Sequence, residues 1–300
     1  MARLIITPDD DGYSQSSPTF LVYDSETKQL VHTCSRLQEL NAIEFFGQRR
    51  PTFRPYGITD DTQYMYVVSH NKLGKFDKNT YKLVEMLDVP LFINTHKLLR
   101  HRNNMYVTNT SNNTIGIYDM EKHTHSFFDV NTLSLTKDVV TPDHAESHDT
   151  AHVNSLSAVG NKIYFGLNHL NKRTSQFGCF NVDTYEAEIV AEAGLRTHGV
   201  QLLGDKLYAL SSGTGEIVEV DLHTKDVALH KVVNSDKTYL RGLDVLDGTL
   251  TFCGSNTYSE DSTIYMNNCF AATFDTATKK ANVLMQFNEA YIISDMKVLN

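Results

Sequence analysis

Histidine and arginine residues stand at the heads of several strand-like segments in this 300-residue chain. They are His96 in NTHKLLRHRNNMYV, His152 in HVNSLSAVGNKIYF, Arg196 and His198 in RTHGVQLLGDKLYAL, and Arg241 in YLRGLDVLDGTLTFC. Imidazole groups transfer protons and bind metals, and guanidinium groups bind carboxylates and phosphates. A single buried histidine is more often a core residue that bonds to the backbone. The function of these residues therefore depends on whether the fold brings them together.

A repeated unit indicates how these segments are arranged. A strand ending in Asp, a tight turn usually closed by Thr, and a further strand recur six times, with the aspartates at Asp24, Asp77, Asp119, Asp183, Asp221 and Asp275. An Asp in this position accepts hydrogen bonds from backbone N–H groups two or three residues later. We therefore predict that these residues form turns and take no part in catalysis.

A second repeated pattern, upstream of each Asp, predicts the architecture. It is a hairpin with a tight polar turn, as in YGITDDTQYMYVV and HGVQLLGDKLYAL, and its sixth copy is split between SDMKVLN at the end of the chain and ARLIIT at its beginning. Each unit then has four strands, and the last is assembled from both termini, which is how a β-propeller closes its ring. The sequence therefore predicts an all-β protein whose residues 1–300 form a single domain, a six-bladed β-propeller with four-stranded blades.

The long loops are predicted to share one face of this ring. The turns between the first and second strands and between the third and fourth strands are short and uniform, so the variation in length falls in the other connections, at 8–17, 36–52, 130–151, 168–176 and 255–268. Long loops gathered on a rigid scaffold typically carry binding residues. Within 130–151, PDHAESHD is either a solvated loop or a lid that contributes His144 or His148.

Alignment of the six innermost strands places polar residues at the mouth of the central axis on this loop-rich face. The axial ring consists of Tyr56, His96, Asn154, His198, Arg241 and Ser294, and the upper ring, two residues earlier, of Arg54, Asn94, His152, Arg196, Tyr239 and Ile292. Two residues after the axial ring, each strand carries an apolar residue typical of a core. No residue of either ring is acidic, and buried like charges repel unless an anion or a metal compensates them. The pattern therefore favours a functional pocket.

Two chemistries fit such a pocket. In the first, His96, His152 and His198 bind one transition metal ion (Zn²⁺, Mn²⁺ or Fe²⁺) and leave a position open for substrate or water. In the second, no cofactor is present, arginines bind a carboxylate or phosphate, and His and Tyr act as general base and acid. The second set of residues suits an elimination reaction. An Arg neutralises the carboxylate, a base abstracts the proton next to it, and elimination follows.

The ring residues are assigned to roles on this basis. The residues predicted to act in catalysis are His96, His152, His198, Arg241 and Tyr56, and those predicted to bind substrate are Arg54, Asn154, Arg196, Tyr239 and Asn94.

The composition limits the partners and the compartment. The formal net charge is -9, which argues against nucleic acid and anionic membranes as partners. The N-terminus does not resemble a signal peptide, no apolar run is long enough to span a membrane, and Cys34, Cys179, Cys253 and Cys269 show no CxxC pairing. We expect a cytoplasmic protein with reduced, buried thiols. SSGTGE (211–216) leads into a strand and not a helix, so it is predicted to be a Gly-rich hairpin and not a phosphate-binding loop.

Three of these segments resemble a known group of proteins. HVNSLSAVGNKIYF, RTHGVQLLGDKLYALSSGTGEIVEVD and YLRGLDVLDGTLTFCGSNTYSE are similar to an uncharacterised bacterial family of propeller proteins with H-x-N-x-L, S-G-T-G-E and R-G-L motifs. The resemblance covers residues 150 to 260, about a third of the chain, and the first two blades are less alike. It implies the propeller fold and polar positions at His152, Asn154, His198 and Arg241, but no reaction.

The sequence thus predicts a propeller enzyme with an axial His/Arg/Asn/Tyr pocket that acts on a small anionic or sugar-like molecule, as a lyase or hydrolase. The alternative is a non-catalytic propeller that binds a ligand or a protein on its loop-rich face.

Overall fold

The structure, a computed structural model, describes residues 2–9, 18–35, 43–45, 48–50, 55–69, 72–89, 94–136, 149–232, 238–256, 267–287 and 292–299. Within these ranges the regular structure is antiparallel β-sheet, with short 3₁₀ turns at Thr110–Asn112 and His169–Asn171. No helix in the described part of the chain is both long and apolar enough to cross a membrane.

The strands follow one another around a ring of sheets. Near the N-terminus lie β1 (Arg3–Asp9), β2 (Phe20–Asp24) and β3 (Leu30–Cys34), followed by a hairpin of β4 (Ile43–Phe45) and β5 (Gln48–Arg50). The first blade comprises β6 (Gly57–Asp60), β7 (Tyr64–Ser69), β8 (Lys72–Asp77) and β9 (Leu83–Asp88). The second comprises β10 (Thr95–His101), β11 (Asn104–Asn109), β12 (Thr114–Asp119), β13 (Thr124–Asp129) and β14 (Ser134–Thr136).

The remaining blades have four strands each. The third comprises β15 (Val153–Val159), β16 (Lys162–Leu167), β17 (Gln176–Asn181) and β18 (Ala187–Glu192). The fourth comprises β19 (Thr197–Leu203), β20 (Lys206–Ser211), β21 (Glu216–Asp221) and β22 (Val227–Lys231). The fifth comprises β23 (Thr238–Leu246), β24 (Thr249–Asn256), β25 (Asn267–Asp275) and β26 (Lys280–Gln286).

The sixth blade closes the ring as predicted. Strand β27 (Ile292–Leu299) pairs antiparallel with β1, with Arg3 opposite Leu299 and Thr7 opposite Asp295, and β2 and β3 complete the sheet in the order β27-β1-β2-β3. The two ends of the chain therefore share one sheet, which closes the ring of blades. The all-β, six-bladed propeller with four-stranded blades is confirmed.

Apolar side chains pack between neighbouring blades. Between the third and fourth blades, for example, Phe177 and Leu207 are fully buried and pack in one cluster with Val200. Strands that are covered on both faces by other blades must bury alternate residues on each side, and this explains the Val-, Ile-, Phe- and Tyr-rich sequence. These cores hold the inner strands in fixed positions around the axis.

The repeated turns form as predicted in five of the six blades, and one assignment is wrong. Asp24 accepts hydrogen bonds from the backbone N–H groups of Glu26 and Thr27 at 3.0 and 2.8 Å, and Asp77, Asp119, Asp221 and Asp275 do the same in their own blades. In the third blade, however, the acceptor is Asn181, which bonds to the N–H of Asp183 at 2.8 Å. Asn181 forms the turn there because its amide oxygen accepts the same hydrogen bonds as an Asp carboxylate.

Two of the predicted long connections contain additional strands. The hairpin of β4 and β5 lies within 36–52, and β14 lies within 130–151, where it extends the second blade to five strands. A further copy of the same turn precedes β14. Asp129 accepts hydrogen bonds from the N–H groups of Asn131 and Thr132, and the chain then folds back as β14. Loop residues 10–17, 137–148 and 257–266, with His144 and His148, lie outside the described residues.

The four cysteines are free and buried, as expected from their apolar surroundings.

Candidate functional site

The inner strands place the axial ring directly above a core layer. Ile58, Leu98, Leu156, Val200, Leu243 and Met296, two residues after each ring position, are at most 2% exposed. Among the ring residues themselves, His198 is 6% exposed, Ser294 7% and Tyr56 8%, while His96 and Arg241 are partly exposed. The change from polar to apolar residues along each strand therefore marks the boundary between the polar ring and the core.

β-Bulges lie at the axial ring in five of the six blades. The inner-strand pairing shifts register between Thr95 and Leu98, Val153 and Ser155, His198 and Val200, Arg241 and Leu243, and at Ser294 opposite Thr7 and Pro8. A bulge re-aims the side chains around it and increases the local twist. The bulges therefore interrupt the regular alternation of side chains along the inner strands at the axial ring.

Glycine makes two of these bulges possible. Gly199 and Gly242 have φ of 63° and 61°, and a Cβ on them would lie 2.7 Å from Leu243 Cβ and 2.7 Å from Met296 N. Each glycine thus combines a left-handed backbone with close contact to the next inner strand. This explains why Gly follows directly after His198 and Arg241.

The upper ring has an unusual backbone in three successive blades. Asn94, His152 and Arg196 all have φ of 52°, in the left-handed region that non-glycine residues rarely adopt. The residues that follow them, Thr95, Val153 and Thr197, are at most 1% exposed. Buried anchors therefore hold this strained turn, and backbone strain of this kind concentrates at functional sites.

A hydrogen-bonded series of side chains connects the fourth and fifth blades at the two rings. Arg241 donates from Nη2 to the Tyr239 hydroxyl at 3.0 Å, and its guanidinium lies 5.1 Å from the centre of the Tyr239 ring. The Tyr239 hydroxyl lies 3.4 Å from Nε2 of His198. Nδ1 of His198 lies 2.8 Å from Oγ of Ser212, which donates to the carbonyl of Leu240.

The surroundings of His198 favour its neutral form. Burial lowers its pKa well below 6.5, and electrostatic interactions with Arg241, His152 and His96 lower it further. A hydrogen bond to the backbone of Arg196 acts in the opposite direction but is the smallest of these contributions. A neutral imidazole next to a guanidinium can accept a proton or bind a metal.

Aromatic and imidazole rings from the first three blades contact one another in series. The rings of Tyr56 and His96 are 5.7 Å apart, and those of His96 and His152 are 5.1 Å apart in an edge-to-face arrangement. Nδ1 of His152 lies 2.6 Å from Oδ2 of Asp149, and both side chains are 12% exposed. Asp149 thus adds next to His152 the carboxylate that the two rings lack.

Other predicted site residues have different surroundings. The amide of Asn154 donates to the carbonyl of Thr197 at 2.9 Å and accepts from the Ser155 hydroxyl at 2.7 Å, so it connects the third and fourth blades. Arg196 is partly exposed, and Arg54 lies outside the described residues. Their roles in binding substrate stay predictions.

The predicted metal site also stays a prediction. Within the described ranges, no group of three or more His, Cys, Asp or Glu side chains is arranged to hold a metal ion. The Nδ1 atoms of His152 and His198 contact Asp149 and Ser212, which leaves Nε2 as the ring nitrogen that could bind a metal.

Sequence reasoning missed Asp149 and Ser212. Asp149 stands three residues before His152, at the end of the PDHAESHD segment, for which the sequence predicts either a solvated loop or a lid. Ser212 lies in the SSGTGE hairpin. The separation of only three residues between Asp149 and His152 could have indicated the first contact. The second contact links His198 on β19 to a residue 14 positions later, in the turn directly after β20, and only the register of β19 with β20 brings the two together.

Comparisons with known proteins identify the fold and no family. No protein-family model matches the chain, and no curated protein matches it significantly. Among solved structures, a chain of a nidogen/laminin complex has a TM-score of 0.68 at 9% identity, over 99% of this chain and 98% of that one. Virginiamycin B lyase from Staphylococcus aureus has a TM-score of 0.53 at 15% identity, over 83% and 72%. The computationally designed Ika8 protein has a TM-score of 0.53 at 10% identity, over 93% and 84%. At these identities the likeness shows a shared propeller fold alone.

Proposed function

We propose that this chain is an enzyme that binds a small carboxylate, free or on a sugar-like molecule, in the axial pocket and removes a proton next to it, as a lyase does. The observation that carries the proposal is the series Arg241, Tyr239, His198 and Ser212, in which a guanidinium and a neutral imidazole contact the same tyrosine. The guanidinium binds the carboxylate of the substrate, and the imidazole accepts the proton from the adjacent carbon.

The residues divide the reaction between them. Arg241 binds the carboxylate and stabilises the charge that develops when the adjacent C–H bond breaks. Nε2 of His198 takes the proton, the C–H electron pair forms the new double bond, and the leaving group departs with its own bonding pair. His152, which contacts Asp149, protonates the leaving group.

The rest of the pocket suits a small polar ligand. The rings of Tyr56 and His96 supply flat surfaces for its carbon skeleton. Ser294 offers a buried hydroxyl with no hydrogen-bond partner among the described residues. The lyase among the structural neighbours shares this fold, and the proposal rests on the side chains and not on that likeness.

A proton-exchange experiment tests the proposal. The purified protein is incubated in D₂O with a panel of small hydroxy, amino and uronic acids, and NMR measures deuterium incorporation next to the carboxylate and the appearance of alkene protons. We expect one class of acid to exchange, and His198→Asn and Arg241→Gln to abolish exchange. The matched control is His223→Asn, because His223 is exposed and lies outside the pocket.

The outcome also separates the alternatives. Binding of an acid with no exchange would identify a non-catalytic ligand-binding propeller. Exchange that survives in His198→Asn would overturn the role given to His198.

A metal-dependent version of the site is the second candidate, favoured by the 5.1 Å spacing of the His96 and His152 rings. In this case His96, His152 and His198 would bind one Zn²⁺, Mn²⁺ or Fe²⁺ through their Nε2 atoms. Metal analysis of the purified protein tests it: one tightly held ion per chain that is lost in His198→Ala supports this version, and a metal-free protein that still exchanges protons excludes it.

A further inference from the structure

We propose that Ser212 is a positioning residue that keeps His198 in the tautomer with its hydrogen on Nδ1, so that Nε2 is the proton acceptor. This inference deepens the proposed function and rests on it for its catalytic meaning. The tautomer itself is a property of the folded protein and can be measured without a substrate.

The Ser212 hydroxyl has a single hydrogen to donate. That hydrogen is donated to the carbonyl oxygen of Leu240, which has no hydrogen of its own to share. The Ser212 oxygen therefore faces Nδ1 of His198, 2.8 Å away, with a lone pair.

Only one neutral form of His198 suits this arrangement. If the ring hydrogen were on Nε2, two lone pairs would face each other between Nδ1 and Ser212, in a place where Ser212 is 7% exposed and His198 6%. A buried acceptor facing an acceptor loses a hydrogen bond and the compensation for its desolvation. With the hydrogen on Nδ1, the bond forms and Nε2 carries the lone pair.

The contacts of Nε2 agree with this tautomer. The Tyr239 hydroxyl lies 3.4 Å from Nε2, and it already accepts a hydrogen bond from Arg241. Arginine has only donors, so the hydrogen of Tyr239 is free to point towards Nε2. One hydrogen each from Arg241 Nη2, the Tyr239 hydroxyl, His198 Nδ1 and the Ser212 hydroxyl then meets an acceptor.

The SSGTGE hairpin explains how Ser212 is held. The Ser211 hydroxyl accepts from the Leu195 N–H at 2.9 Å and contacts the Thr214 hydroxyl at 2.7 Å. The Gly213 N–H donates to the Leu195 carbonyl at 2.9 Å, and a Cβ on Gly213 would lie 3.0 Å from that oxygen. Gly215, with φ of 69°, donates to the Ser211 carbonyl at 2.8 Å. The hairpin predicted from its glycines is thus a rigid support for one hydroxyl group.

The experiment is ¹⁵N NMR of histidine-labelled protein, with the His198 signals assigned by their loss in His198→Asn. In the wild type we expect Nδ1 to resonate as a protonated nitrogen and Nε2 as an unprotonated one above pH 7. In Ser212→Ala we expect the two signals to move towards each other as the tautomers mix. Ser212→Thr, which keeps the hydroxyl, should restore the wild-type pattern.

Ser157→Ala is the matched control. It removes a buried hydroxyl of the third blade that contacts Gln201 instead of His198, so it should change thermal stability and leave the tautomer unchanged. An Nε2-protonated His198 in the wild type, or an unchanged tautomer in folded Ser212→Ala, would overturn the inference.

The same variants separate this inference from the proposed function. If an exchanging acid is found, Ser212→Ala should lower the exchange rate about 10- to 100-fold, with little change in substrate affinity, as is typical when an orienting partner is lost. If no acid exchanges but the NMR pattern is as expected, the proposed function fails and the tautomer assignment stands.

Discussion

Lys97 in the second blade forms a buried ion pair with Asp295 in the sixth, with Nζ 2.7 Å from Oδ2. The same carboxylate accepts the backbone N–H of Ile58, in the first blade, at 3.1 Å. Both charged residues directly follow axial ring positions, so the pair lies next to the pocket. Burial raises the pKa of Asp295, and the charge and hydrogen bond of Lys97 only partly offset this rise. The pair therefore joins three blades at a net cost in desolvation.

A double-mutant cycle tests this account of the ion pair. Lys97→Met leaves a buried carboxylate without its cation and should lower the free energy of unfolding by about 3–5 kcal/mol. Asp295→Asn keeps an acceptor for the Ile58 N–H but leaves Lys97 uncompensated, so it should also destabilise. The double variant should recover most of the loss in urea denaturation. Additive losses would show that the two residues act independently.

The neutral state of His198 should appear in the pH dependence of stability. Because its pKa is lowered in the folded protein, only the unfolded chain takes up this proton as the pH falls below about 6.5. Stability is therefore lost below that pH, by at most about 1.4 kcal/mol per pH unit for this one group. His198→Asn should be less sensitive than the wild type between pH 7 and 5 in urea denaturation, and His223→Asn should not. An unchanged slope in His198→Asn would contradict a buried neutral histidine.

A cluster between the fourth and fifth blades should also lose stability as the pH falls, but over a lower pH range. Burial of Glu219 raises its pKa, but hydrogen bonds from Lys206, Lys279 and His230 outweigh this and lower it to about 2. A lowered carboxyl pKa adds stability that is present above the unfolded value of about 4.5 and is lost as the pH falls towards 2. Glu219→Gln should remove part of the loss of thermal stability between pH 5 and 3. Glu216→Gln, on the same strand, serves as the control.

Gly199 should be far less replaceable than another left-handed glycine of the same blade. Gly199→Ala adds a methyl group 2.7 Å from Leu243 Cβ, whereas nothing lies within 4 Å of a Cβ on Gly204, which has φ of 60°. Gly204→Ala should cost only the backbone strain of about 1–2 kcal/mol. Gly199→Ala should cost about 1–3 kcal/mol more, because the inner strands must separate. Equal losses in urea denaturation would show that the inner strands adjust to the methyl group.

Much of the fold could be predicted because a propeller repeats its local chemistry. The Asp-initiated turns are contacts within four residues, so their sequence signature recurs in each blade, and the split sixth copy predicts ring closure. The error at Asp183 and the missed β14 have one cause. Asn181 forms the same turn with a different residue type, and Asp129 forms it one strand later than the repeat predicts. Residue type alone did not reveal either turn.

The axial site could be predicted only in part. The alignment of the strands placed His198, Tyr239 and Arg241 near one another, because equivalent residues in successive blades face the same axis. It could not predict which groups contact them, since Ser212 and Asp149 come from loops and strand ends that do not follow the repeat.

By itself, the sequence determined the number of blades, the closure of the ring and the level along the axis at which polar residues replace apolar ones, because these follow from periodic local patterns. Only the tertiary structure decided the backbone bulges, the Lys97–Asp295 pair and the protonation of His198. Each of these depends on distances between different blades, and on the exclusion of water that follows when six inner strands pack around one axis.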